Sequence, residues 1–253
     1  MTTEGRIQSE DHSEDHRDDG GDRGAPIVAV ASADAVLRHP EVGEHLLTAL
    51  EQERAGRFRH ESGRIDFTAG HLLVRLCAAR LLGVPVAGLV LAQQCPDCGL
   101  ADHGKPYLPD HPEVHVSLSH TRGVVAAGAG YRPVGVDVEL SARGGSLRAV
   151  ARRVLAPAEL AAVEAAPEPD RAFLRQWVRK ESLIKIGRAT LDTLGGIDLS
   201  TLPLAVPPGA PLRSRYEDLH LIDWTDPEHG AAVAAVSTAP PRIVALVEPA
   251  AAG

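Results

Sequence analysis

Aromatic residues are scarce in this 253-residue chain, at 3%. Leu, Val and Ala must therefore fill whatever core it builds. Cysteine is nearly absent too, with three residues: Cys77, Cys95 and Cys98. So low and odd a count argues against a disulfide framework and for a reducing compartment. No run of roughly 18 apolar residues occurs, so no membrane-spanning helix is expected. The N-terminus lacks an apolar segment of the kind a secretory signal carries. A broad basic excess is missing as well. Residues 1–24 hold a net −5 of the chain's −8, which leaves −3 for the rest and no footprint for nucleic acid. A G-x-x-x-x-G-K-[ST] phosphate loop is also absent, which counts against a P-loop nucleotide enzyme. The expectation is a cytoplasmic protein that binds neither nucleic acid nor membrane.

What is present suits a folded body. The chain is 44% hydrophobic and 24% charged, and long enough for one large domain or two small ones. Residues 1–24 are acidic and without periodicity, and read as a disordered tail. Strands are expected at 27–30, 114–119, 124–131, 135–140, 219–224, 231–237 and 243–247. The three from 114 to 140 are expected to form one antiparallel meander, with a turn at 120–123. Helices are expected at 46–58, 67–82, 147–155, 158–166 and 171–186. Gly83 and Gly187 act as stop signals. The loop 141–146 and the Pro-rich stretches 203–211 and 239–241 connect them. Strands and helices in this order describe an α+β chain. VRLCAARLLG (74–83) and VRKESLIKIG (178–187) echo each other in register, with Cys77 where Glu181 stands.

Several residues point to chemistry. Asp137 and Glu139 stand two apart on an expected strand, so both carboxylates share a face. That face reads as wet, and on this pattern alone a solvated surface explains it. The Gly- and Ala-rich segment before it shifts the balance. Two close carboxylates repel unless a cation lies between them, and hard oxygen ligands suit Mg²⁺. Glu181 is the candidate third carboxylate. Lys185 lies one helical turn on, although Glu181 and Lys185 also make an ordinary surface ion pair. Ser119-His120 suits a phosphate better than a nucleophile–base pair, because neighbours on a strand point apart, although a capped turn is the commoner reading of this segment alone. Lys105 in GKPYL reads as an exposed lysine on a rigid turn. Cys95-x-x-Cys98 with His103 offers three zinc ligands, which Cys77 or His111 would complete, although two ordinary thiols are the commoner case.

Taken in order, GKPYL, VSLSH, GVDVEL and WVRKESLIK resemble the motif series of 4'-phosphopantetheinyl transferases. The likeness is to the large monomeric type that serves polyketide and non-ribosomal peptide synthases. It runs from about residue 50 to about residue 191, and CPDC…HGKP resembles actinobacterial members. The resemblance implies a pseudo-dimer of halves 25–133 and 134–249. Each would be a small, mostly antiparallel sheet packed with a long helix. It implies transfer of the 4'-phosphopantetheine arm of coenzyme A to a serine of an apo acyl or peptidyl carrier protein, releasing 3',5'-ADP. An inactive module gripping coenzyme A or a carrier protein is the alternative. Mg²⁺ on Asp137, Glu139 and Glu181 follows by the same analogy, as does Glu181 as a candidate base. Lys185 would lie on the phosphates, and Trp177 would anchor its helix. Ser119 and His120 would hold the 3'-phosphate, and Lys105 the nucleotide end. Arg143, Arg148, Arg152 and Arg153 would receive the carrier's acidic helix. The pattern departs at Glu51, where the family has a base and only Arg54 is kept. It departs again at Asp66-Phe67, with Arg64 nearby.

Overall fold

The computed structural model describes residues 24–95, 98–101, 103–141, 148–205 and 210–247. The acidic tail up to residue 23, nearly all of the loop 141–146, the middle of the first Pro-rich stretch, and Arg143 lie outside the described residues.

Two sheets carry the fold, each with a long helix against it. The first has six strands in the order β10-β1-β5-β4-β3-β2. These are β1 (Ile27–Ser32), β2 (Ala92–Gln94), β3 (Lys105–Tyr107), β4 (His115–Thr121), β5 (Val124–Gly130) and β10 (Arg242–Ile243). The second has the order β6-β9-β8-β7. It comprises β6 (Val134–Leu140), β7 (Leu212–Tyr216), β8 (Leu219–Asp226) and β9 (Ala231–Ser237). All pairs are antiparallel except β1 with β10.

The expected meander is corrected here. β4 and β5 are a hairpin, but β6 joins the other sheet. Both edges of β5 are already taken, by β1 and by β4, so no ladder is left for a third consecutive strand. β6 pairs instead with β9, Asp137 opposite Ala234. The last strand is shorter than expected, β7 and β3 were not foreseen, and GKPYL is a strand, not a turn. β10, from the far end of the chain, returns to the first sheet.

Among the helices, α1 (Ala33–Leu37) is capped by the Ser32 hydroxyl. α2 (Ala49–Gly56) opens on a reciprocal capping box between Thr48 and Glu51. α3 (Glu61–Leu82) packs on β1, β4 and β5. It begins six residues before the expected start. α4 (Ala151–Val154) and α5 (Pro157–Ala165) precede α6 (Pro169–Lys185), which packs on β6 and β9.

The echo between 74–83 and 178–187 is structural. Arg75 on α3 and Arg179 on α6 are both fully buried. Each meets a buried acid: Arg75 meets Glu51 at 2.6 Å, and Arg179 meets Asp223 at 2.9 Å. Gly83 and Gly187 close their helices with φ of 69° and 78°, the left-handed region that glycine enters without cost. Leu and Val replace the missing aromatics in the first core, as at Leu72, Leu73, Val74 and Val116.

One contact sets how closely α6 lies on its sheet. A Cβ built on Gly135 would stand 2.2 Å from the Ser182 carbonyl oxygen. Helix backbone and strand backbone therefore touch with no side chain between them. Gly135→Ala is expected to cost about 1–3 kcal/mol through overpacking. A urea midpoint within a few tenths molar of the parent would refute that.

Candidate active site

The stretch WVRKESLIK divides its charges by helix face. Arg179 and Lys180 point into the interior. Lys180 Nζ donates to Glu159 at 2.7 Å and to the Leu194 and Ile197 carbonyls, with both charged side chains at 0% exposure. Trp177 is partly buried against Phe173, with ring centroids 6.2 Å apart. Glu181 and Lys185, four apart, face the seam between the two sheets.

At that seam β6 runs beside β4 in the same direction. Ser117 Oγ accepts from the Val136 amide at 3.1 Å. Ser119 Oγ donates to Asp137 Oδ1 at 2.6 Å, and Thr121 Oγ1 to Glu139 Oε2 at 3.2 Å. Side chains on alternate positions of β4 thus replace the missing ladder. Lys185 Nζ fastens the same seam. It donates to Leu118 O at 3.2 Å on β4, Val136 O at 2.7 Å on β6, and Asp137 Oδ1 at 2.8 Å. An ammonium has three donors, and all three are engaged.

The expected wet face is a second correction. Asp137 is 6% exposed, because β4 and Lys185 cover it. Its Oδ1 accepts two bonds, yet its Oδ2 is buried without a partner among the described residues. A carboxylate oxygen withheld from water and given no donor is costly. A hard cation is the chemistry that would satisfy it. Glu181 is half-buried, and its carboxyl is raised to about 7, first by burial and then by the charge of Asp137; Lys185 opposes this and Glu139 adds to it. Even with the Lys185 ammonium on Asp137, nearby carboxylates repel, which favours the protonated form of Glu181. The three side chains offer the oxygen ligands that Mg²⁺ prefers.

The raised carboxyl has a consequence for stability. The unfolded group loses its proton near 4.5, the folded one near 7. Between those values the folded state binds more protons, so stability contributed by this group falls as pH rises across that window. Without metal, Glu181→Gln is expected to add about 1–2 kcal/mol at roughly pH 8, after discounting for solvent screening, and almost nothing at roughly pH 4. Denaturant titration in EDTA at both pH values checks it, and equal gains would refute it.

The other anticipated residues lie around the first sheet. His120 is exposed on the face of β4 opposite Ser119, so the two do not grip one group side by side. Partial desolvation lowers the His120 pKa, the charges of His71 and Lys185 act the same way, and Asp137 opposes them. Lys105 is exposed at the mouth of a cavity of ≈ 490 Å³ that Tyr107, His115 and Cys95 also line. Arg54 borders a smaller cavity of ≈ 150 Å³ with His71, Gln93 and Tyr107. It donates to Gln93 Oε1 and lies over the Phe67 ring, 5.1 Å from its centre.

The departures at Glu51 and Asp66 are structural. Glu51 is 4% exposed and accepts from Arg75 and His71, which hold its carboxyl down to about 2 against the opposing effect of burial. Asp66 accepts from the Gly123 amide at 2.9 Å and holds the β4–β5 turn, where Gly123 has φ 75°. Arg64 pairs with Glu44 and Glu61 at the surface. Arg152 and Arg153 are exposed, and Arg153 pairs with Asp192 at 2.6 Å. The side chain of Arg148 lies outside the described residues.

Residues 133–236, which hold β6, α6 and the carboxylates, match the family model of the 4'-phosphopantetheinyl transferase superfamily. A holo-[acyl-carrier-protein] synthase of Staphylococcus aureus is 35% identical over 86 residues, 33% of this chain and 71% of the relative. The chain belongs to the 4'-phosphopantetheinyl transferase superfamily. Two longer relatives extend the match. A 4'-phosphopantetheinyl transferase of Bacillus subtilis is 30% identical over 142 residues, 55% of this chain and 59% of that one. The 4'-phosphopantetheinyl transferase HetI of a Nostoc species is 28% identical over 163 residues, 62% and 66% of the two chains. The chain thus spans roughly three-fifths to two-thirds of these curated relatives. As a superfamily member it carries its carboxylate cluster inside the matched segment, while Arg54, Lys105, Ser119 and His120 precede residue 133. No described helix is long and apolar enough to cross a membrane.

Sequence reasoning missed the hydroxyl row Ser117, Ser119 and Thr121. Its signal was the alternation VSLSHT, whose polar positions were assigned to phosphate or solvent. It also missed that Lys185 serves backbone carbonyls, which no pattern of side chains announces.

Proposed function

We propose that this chain transfers the 4'-phosphopantetheine arm of coenzyme A to a serine hydroxyl of an apo carrier protein, with release of 3',5'-ADP. One observation carries the reading: an Asp137 Oδ2 buried without a partner among the described residues, beside a Glu181 carboxyl raised to about 7. Asp137, Glu139 and Glu181 would hold Mg²⁺, which when bound neutralises charge on the pyrophosphate during transfer. Glu181 must be ionised to act there, as a ligand or as the base that takes the serine proton directly or through water. Lys185 and Ser119 position Asp137 by fixing its Oδ1, which leaves Oδ2 as the free coordinating atom. Release of the Lys185–Asp137 contact would let the ammonium reach a phosphate.

Coenzyme A fits the first-sheet side of the seam. Lys105 and Arg54 stand at two neighbouring cavities that share Tyr107, and suit its nucleotide end. A ring nitrogen of His120 would donate to the 3'-phosphate. The acyl carrier would approach Arg152 and Arg153, whose charge complements an acidic helix. The halves 25–133 and 134–249 would act as one monomer, the first supplying nucleotide contacts and the second the metal site.

The test is the intact mass of an apo carrier protein after incubation with this protein, coenzyme A and Mg²⁺. Gain of one phosphopantetheine arm, lost with EDTA, is expected. No gain across several acyl and peptidyl carriers, with coenzyme A still binding, would make the chain an inactive binding module.

A further inference from the structure

Among the described residues, the one group of three metal-ligating side chains whose ligand atoms converge lies away from the seam. The Sγ atoms of Cys95 and Cys98 and a ring nitrogen of His103 all lie within 4.8 Å of one another. Neither thiol is in a disulfide. Cys98 Sγ and His103 Nε2 are 3.4 Å apart. A tetrahedral zinc with sulfur ligands near 2.3 Å and nitrogen near 2.05 Å sets that edge at about 3.6 Å. The observed separation, that of a hydrogen bond between the two, is within a few tenths of an ångström of that edge.

The backbone is shaped to bring the three together. The Cys95 amide donates to Leu100 O and the Gly99 amide to Cys95 O, each at 2.9 Å, closing the chain into a tight knuckle. Gly99 has φ 72°, which the residue after Cys98 needs for the chain to turn back. Gly104 has φ 103°, and a Cβ there would stand 2.3 Å from Gln94 O and 2.4 Å from the Cys95 amide. Only glycine lets the start of β3 lie directly on the end of β2, and that approach carries His103 to the thiols. Cys77 and His111, raised as completing ligands, are elsewhere. Cys77 is buried in α3 with its thiol pushed up to about 12 by burial, and His111 faces Glu113 at 3.5 Å.

We infer that Cys95, Cys98 and His103 bind a Zn²⁺ ion that clamps the β2–β3 hairpin. Two thiols give up their protons to solvent as the thiolates bind, and the imidazole coordinates in its neutral form. The fourth position is left to water or another oxygen donor. β2 and β3 share three paired residues, Gln94 opposite Lys105 at the knuckle end. So short a ladder is marginal alone. The clamp would fix it, with Lys105 beside it and Gln93 held to the Gly104 carbonyl at 3.1 Å. Cys95 also lines the ≈ 490 Å³ cavity, so the ion would stiffen one wall of it.

The test needs no transfer activity, so it stands or falls apart from the proposed function. The full chain, kept reduced, is equilibrated with equimolar zinc, desalted and analysed for metal. About one zinc per chain is expected. Cys98→Ser with His103→Ala should retain less than roughly a tenth of that, while Asp137→Asn retains it all. Cobalt in place of zinc should show a thiolate charge-transfer band that Cys98→Ser abolishes. No retained zinc in the parent, unchanged zinc in the double variant, or a Cys95–Cys98 disulfide in reductant would each overturn the site.

Discussion

Asp137→Asn is expected to lower transfer by roughly a thousand-fold with little loss of fold. The amide keeps the volume and an oxygen for Ser119 and Lys185, which now hold Oδ1 at 2.6 and 2.8 Å. What it removes is the negative charge and the buried Oδ2 that the proposed cation would take. A catalytic cation supplies several kcal/mol of charge stabilisation, and each 1.4 kcal/mol is tenfold, so losing most of it gives about that factor. Stability should move by no more than about 1–2 kcal/mol, because weakening the Lys185 contact is offset by relief of repulsion at Glu181. The variant has a signature that simple damage lacks. Asp137 is the second cause raising the Glu181 carboxyl, so in metal-free protein that titration should drop below 7. Turnover at the parent rate with Mg²⁺ present would remove the metal assignment.

Lys180→Met is the largest stability loss we expect, about 3–5 kcal/mol, from deleting one partner of a fully buried ion pair. The acid left behind is Glu159, at 0% exposure. Glu159 keeps its bonds from the Ala156 amide at 2.6 Å and the Leu199 amide at 3.0 Å, but not a counter-charge. The Leu194 and Ile197 carbonyls lose their donor as well. These contacts join α5, the 194–199 segment and the back of α6, so the helix carrying Glu181 depends on them. Urea unfolding measures the cost. A loss below about 1 kcal/mol would mean that water reaches the pair and that the interior is not sealed there.

The two neighbours Lys180 and Glu181 show how far sequence could be read. Periodicity located α6 within two residues at its start and one at its end, and its glycine stop was visible. That Glu181 and Lys185 share a face followed from their spacing. Which charge looks inward did not follow, because Lys180 finds its acid 21 positions earlier and its two carbonyls 14 and 17 positions later. The pair Asp137 and Glu139 was legible as same-face carboxylates, but not Asp137 as buried and Glu139 as half-buried. Their cover comes from a strand of the other sheet, and β6 changes sheets only because both edges of β5 are occupied. Glu51 looked like a lost basic residue until Arg75, 24 positions on, supplied its counter-ion. Local pattern reports periods and caps; it does not report which distant partner arrives.

The contact between Gly135 and the Ser182 carbonyl fixes a distance that rotamers cannot adjust. Two main chains in van der Waals contact behave as a hard stop. Asp137 lies two residues beyond one side of it, and Glu181 lies immediately before the other. The gap between those carboxylates is therefore gauged by backbone thickness, not by the filling of a core. Repacking elsewhere in the molecule can soften or stiffen the protein without altering that gauge.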